Sequence, residues 1–108
     1  MQAGRELDLK VAKALGWKVS EDEGIFCDED GHVLDEPKFS TTWEGMGLLV
    51  EELAKKGIAI QLNSRFVDGV LIDFFCLVQG AKYYRGAVAG KAPHAVCLAL
   101  LKANGIAV

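Results

Sequence analysis

The sequence predicts an α+β domain with an antiparallel sheet, its elements ordered α-ββ-α-βββ-α. Three observations carry this. Apolar residues recur at helical spacing in three separate stretches, and between them lie short runs that alternate or stay apolar as strands do. The strands are separated by Asp-Gly and other glycine turns, too short for the crossovers a parallel sheet needs. At 108 residues the chain has the length of one domain with one core, taken as residues 1–108 with an acidic hairpin inserted at about 20–36.

Leu7, Val11 and Leu15 repeat at i, i+4 and i+8, so residues 4–15 read as an amphipathic helix that Gly16 stops. Trp17 follows as an expected core anchor. Ile25–Cys27 and His32–Leu34 read as two short strands around the turn Asp28-Glu29-Asp30-Gly31. A second helix is placed at 41–56. Its start carries Thr41-x-x-Glu44, in which a hydroxyl and a carboxylate can satisfy the unpaired backbone N–H groups. Trp43, Met46, Val50, Leu53 and Ala54 form its stripe, and Lys55-Lys56 suits the negative end of its dipole.

Ile58, Ile60 and Leu62 alternate with Ala59, Gln61 and Asn63, which describes a strand with one buried face. After the turn Val67-Asp68-Gly69, residues 70–78 are apolar on both faces except Asp73, so this strand is expected at the centre, covered on both sides. A turn at Gln79-Gly80-Ala81 leads to a strand from Lys82 to Ala89. Pro93 suits the first turn of a last helix, whose buried stripe is Val96, Leu100 and Ala103 with Cys97 and Leu101. Asn104-Gly105 caps it.

Composition narrows the function classes. An apolar fraction of 51% with only two prolines excludes a disordered linker. No run approaches the ~20 apolar residues of a membrane span, and Met1–Glu6 has no apolar signal-peptide core, so the cytoplasm is the expected compartment and no membrane partner is expected. Cys27, Cys76 and Cys97 form no Cys-x-x-Cys pair. Cys76 and Cys97 sit in apolar runs and are expected to be buried thiols.

The net charge is −3, from 12 basic and 15 acidic residues, but the distribution is uneven. Glu21, Asp22, Glu23, Asp28, Glu29, Asp30, Asp35 and Glu36 share a stretch without Lys or Arg. The rest of the chain carries 12 basic residues against 7 acidic ones. Beyond Asp73 only Lys82, Arg85, Lys91 and Lys102 are charged.

The chemistry-bearing patterns are sparse. Asp28-x-Asp30-Gly31 opens like a calcium loop, but position 12 of that loop is Phe39 where a bidentate Glu is required. Cys27, His32 and His94 lack the spacing of zinc ligands. Two histidines and no nucleophile motif give no acid–base or nucleophilic constellation, so no catalytic residue, metal or cofactor is expected. Asp73, alone among apolar neighbours, is the one carboxylate whose burial would raise its pKa.

The combination of Gly4-Arg5-Glu6-Leu7-Asp8 with Leu15-Gly16-Trp17, of Ser40-Thr41-Thr42-Trp43 opening a helix, and of Ala92–Ala103 resembles the phage ABA sandwich domain. The resemblance covers about residues 4–17 and 40–106. It implies a three-layer α-β-α sandwich and a small phage or prophage protein in the bacterial host cytoplasm. It brings no activity and no site residues, and Lys18–Phe39 depart from it.

Two function classes follow. Trp17, Trp43, Phe66, Phe74, Phe75, Tyr83 and Tyr84 are many rings for so small a core, and an open sheet must protect its edges. Both point to a protein-interaction or assembly module with a protein partner or a second copy in a homodimer. The alternative is nucleic acid, since residues 41–104 have the α-β-β-β-α order of the double-stranded RNA-binding domain. Lys82, Arg85, Lys91 and Lys102 would then make the phosphate contacts, although the basic cluster such a domain carries at its last helix is reduced to Lys91.

Overall fold

The computed structural model describes residues 1–79 and 84–106. Its helices are α1 (Arg5–Ala14), α2 (Trp43–Lys55) and α3 (Ala92–Ala103). The strands β1 (Lys18–Ser20), β2 (Ile25–Cys27) and β3 (Val33–Leu34) form one antiparallel sheet, and β4 (Ala59–Val67), β5 (Val70–Gln79) and β6 (Tyr84–Ala89) form another. The α+β class, the antiparallel pairing and the order of elements are those expected, with β1 added. That three-residue strand has only Val19 as an apolar mark. It exists because Lys18–Ser20 pair with Ile25–Cys27.

All three helices end alike. The residues after the caps, Gly16, Gly57 and Gly105, have φ of +86°, +74° and +73°, a left-handed turn that a side chain disfavours. The next amides, of Trp17, Ile58 and Ile106, then reach back to the carbonyls of Ala12, Leu53 and Leu101, the Schellman closure. Each chain exit is thereby fixed and each following apolar residue is turned inward.

The start of α2 differs from expectation. Thr42, not Thr41, is the cap, and its Oγ1 accepts from the amide of Gly45 at 2.9 Å. The Thr42 hydroxyl and amide in turn donate to the Lys38 carbonyl. Trp43 thus becomes the first helical residue and lies outside the stripe.

The core is one buried cluster drawn from all three helices and both sheets. Leu7, Val11 and Leu15 of α1, Leu49 and Leu53 of α2, and Cys76 and Val78 of β5 are almost wholly buried, as are Trp17, Phe26 and Phe39. Trp17 packs on Phe39 with ring centroids 5.5 Å apart, so its role as an anchor holds. On α3, ten residues are buried. It carries no single stripe because β5 and β6 pack on it from one side while α1 and α2 pack on it too.

Alternation along the larger sheet puts Ile60, Leu62, Phe74, Cys76, Val78, Ala87 and Ala89 toward α3 and the core. Gln61, Asn63, Arg65, Asp73, Phe75, Leu77 and Val88 take the opposite face. There Gln61, Asn63, Arg65 and Val88 are exposed and Phe75 and Leu77 half-buried. The expectation that 70–78 is covered on both sides is therefore corrected. β5 is central in its sheet, but helices cover only one face, and Val70, Leu71 and Ile72 are exposed.

Candidate interaction surface

Length explains why that end of the sheet is bare. A ten-residue strand spans about 33 Å, whereas the twelve-residue α3 spans about 18 Å. The distal halves of β4 and β5 therefore project beyond the helices as a two-stranded arm, and the molecule measures 46 × 27 × 23 Å.

The arm is ordered by its own sequence. Asp68 and Gly69 both have positive φ, +51° and +79°, the backbone of a two-residue hairpin turn whose twist matches the strands. Val67 pairs with Val70 and Phe66 with Leu71, while Arg65 pairs with Asp73. One extra residue on β5 therefore bulges at Ile72. Arg65 donates to the Asp73 carboxylate through Nε at 2.5 Å and Nη2 at 2.8 Å, a two-point pairing.

That pairing corrects the expectation for Asp73. The hydrogen bond and charge of Arg65 hold its carboxyl below the ordinary carboxylate value against a smaller opposing effect of desolvation. An exposed guanidinium across the strand pair, rather than an apolar enclosure, is its environment.

Beyond this ion pair the arm presents Phe66, Val67, Val70, Leu71 and Ile72 to solvent, with Phe66 58% and Val70 65% exposed. Strand alternation puts Phe66 and Leu71 on one face of the arm and Val67 and Val70 on the other, so apolar side chains are bare on both faces. Trp43, 63% exposed, stands at the root of the arm with its ring edge-on to Phe74, centroids 6.5 Å apart.

The aromatic residues expected as anchors thus divide. Phe66 and Trp43 are exposed, Phe74 and Phe75 are half-buried, and Trp17 is core. Tyr83 and the side chain of Tyr84 lie outside what the structure describes. The aliphatic part of the arm was not singled out from sequence. The signal available was the two-residue turn at Asp68-Gly69, which makes the strands pair to their ends, together with their excess length over the helices.

Two of the basic residues stand at the two ends of one helix. Lys91 is the N-cap of α3 and Lys102 lies in its last turn, roughly 16 Å apart by helical rise. Arg85 is on β6, paired with Val78, and Lys82 lies outside the described residues.

Cys27, His32 and His94, the zinc-type residues, are not brought together among the described residues. Among the described residues, Asp28, Asp30 and His32 lie with ligand atoms within 4.8 Å of one another, a group without Cys27 or His94. Asp28 Oδ1 accepts the amides of Asp30 and His32, which closes the hairpin turn. His94, in the first turn of α3 as expected, donates from Nε2 to the Met1 carbonyl at 2.7 Å. Cys76 and Cys97 are buried, and burial pushes the Cys76 thiol up to about 11 and raises that of Cys97 as well. Neither is a thiolate at neutral pH. No described helix is long and apolar enough to cross a membrane.

Neither a family model nor a curated protein sequence matches this chain. Among solved structures, the fold is similar to the 2.0 Å crystal structure of a phage protein from Bacillus cereus ATCC 14579. The TM-score is 0.75 and the identity 18%, covering 100% of this chain and 92% of that one. The shared property is the fold, whole and in one piece.

Proposed function

We propose that this chain is a non-enzymatic accessory protein of a phage or prophage, of the phage ABA sandwich type, working in the host cytoplasm as a protein-interaction or assembly module. The observation that carries the interaction reading is the projecting arm, an ordered hairpin that exposes Phe66 and Val67 on one strand and Val70, Leu71 and Ile72 on the other beyond the core. Apolar surface of that extent marks contact sites. The likeness of fold to a phage protein supports the origin. The absence of catalysis is supported by the high pKa of the Cys76 and Cys97 thiols and by the tie between His94 and a backbone carbonyl. Nucleic acid is the less favoured partner, since Lys91 and Lys102 stand at opposite ends of α3.

A photoreactive phenylalanine analogue placed at Leu71 or, as control, at Val33 on the acidic hairpin tests the reading. Both sites are exposed, so neither change should disturb folding. In phage-bearing cells, irradiation is expected to give protein adducts of discrete mass from Leu71 and not from Val33. Equal adduct formation at the two sites would remove the arm from consideration.

A further inference from the structure

We infer that the occupant of this surface is a second copy of the same chain, joined through the outer edge of β4 so that two three-stranded sheets become one of six strands. The inference rests on the interaction reading above and names the partner. β4 is an outer strand of its sheet and nine residues long, with no Pro or Lys and with Arg65 as its one charge. Arg65 is directed to Asp73 on the neighbouring strand. The bulge that would twist such an edge away lies instead on β5, at Ile72. Short length, proline, lysine and a bulge, devices by which proteins blunt a free edge, are thus absent from β4.

The edge also complements itself. A two-fold axis perpendicular to the sheet pairs β4 with its copy antiparallel, and centring the axis on Asn63 uses all nine residues. Gln61 then faces the second copy's Arg65, Ile60 its Phe66, and Ala59 its Val67. Strand alternation puts Phe66 on the same face as Ile60 and Leu62, so the second copy's Phe66 continues the apolar row that these two begin beside the helices. Val67 falls on the open face. There it meets a shallow depression of about 390 Å³ lined by Ala59, Ile60, Gln61, Leu77 and Gln79. The β4 half of each arm thus lies along the base of the other copy's β4, an isologous contact in which every interaction off the axis occurs twice.

A stable interface buries about 800 Å² per partner. Pairing all nine residues of β4 joins about 30 Å of strand edge and sets the exposed Phe66 and Val67 of each copy against Ile60 and Ala59 of the other. Seven of the nine residues of β4 and the first three of β5 are exposed in the single chain, consistent with an edge left open for a partner.

Sedimentation equilibrium of the intact chain, from about 1 to 200 µM, is expected to show a dimer. Phe66→Lys, at an exposed site, is expected to weaken dimerisation at least tenfold with an unchanged circular dichroism spectrum. Register is read by cysteine. Across the two-fold axis, paired strand residues have Cα atoms about 5 Å apart, within disulfide range. Asn63→Cys is expected to form an interchain disulfide under mild oxidation at least tenfold faster than Gln61→Cys, whose two copies lie four residues out of register. A wild-type chain that stays monomeric at 200 µM overturns the inference, and so does equal cross-linking by the two cysteine variants. If that monomer nevertheless gives Leu71 adducts with another protein, the arm is still an interaction surface and only its assignment to a second copy has failed.

Discussion

Asp8 is a carboxylate almost wholly buried at the junction of α1 and the segment leading to α2. Its Oδ1 accepts the Ser40 amide at 2.8 Å and the Ser40 hydroxyl at 2.6 Å, and the Gly4 amide donates to Ser40 Oγ at 2.9 Å. Desolvation by burial nevertheless outweighs these bonds and raises the Asp8 pKa, with a lesser push from the charge of Glu36. A carboxyl whose folded pKa is raised contributes its stability below the ordinary carboxylate value and loses it as pH climbs through the folded value. Asp8→Asn keeps an acceptor for Ser40 and cannot ionise. It is therefore expected to match the wild type in urea unfolding at about pH 3 and to exceed it at about pH 7. A constant difference between the two pH values would mean that Asp8 does not titrate with folding. Asp8→Ala leaves the buried Ser40 amide without its acceptor and is expected to cost about 2 kcal/mol.

At the scale of elements, the seating of α2 depends on one residue in its first turn. A Cβ at Gly45 would lie 2.0 Å from the Lys38 carbonyl oxygen and 2.8 Å from the Phe39 nitrogen, both backbone atoms. Alanine would gain about 1 kcal/mol in helix propensity, yet α2 could keep its cap at Thr42 only by moving off this strand of chain, which carries the buried Phe39. Gly45→Ala is expected to lower stability by about 2 kcal/mol or more in denaturant unfolding. Gly47→Ala, where a Cβ meets nothing within 4 Å, is expected to be neutral or stabilising. Elements with repeating apolar marks and glycine stops were legible from sequence, and α1, α2 and α3 end where Gly16, Gly57 and Gly105 predicted. Features set by tertiary contact were not. The capping threonine is chosen by the Lys38 carbonyl, β1 by its pairing with β2, and the pKa of Asp73 by an arginine across the strand pair. The surface was half legible: Phe66 and Trp43 were flagged by type, but an apolar run such as 70–78 looks alike whether a layer covers it or it extends past every layer.

For the molecule as a whole, the question is what holds the acidic sheet to a body of opposite charge balance. Its eight acidic residues meet Lys13 through Glu21 at 2.6 Å, Arg5 through Glu36 at 3.3 Å, and Lys56 through Glu29. These pairs are largely solvent-exposed, so each contributes about 0–1 kcal/mol and is screened by salt. The crowded carboxylates also repel one another, and the same salt relieves that repulsion. The two responses oppose. Apolar contact is the stronger tether, because Phe26 on β2 is fully buried in the shared core with Trp17 and Phe39. Raising sodium chloride from about 0.05 to 1 M is therefore expected to shift the melting temperature by no more than about 5 °C. Phe26→Ala, which empties a buried ring site worth about 3–5 kcal/mol, is expected to lower it by at least about 12 °C. If salt alone lowers the melting temperature as far as the loss of Phe26 does, then charge rather than packing joins the two sheets. The acidic face would in that case already be occupied by the protein's own cations, and less available to a basic partner than its composition implies.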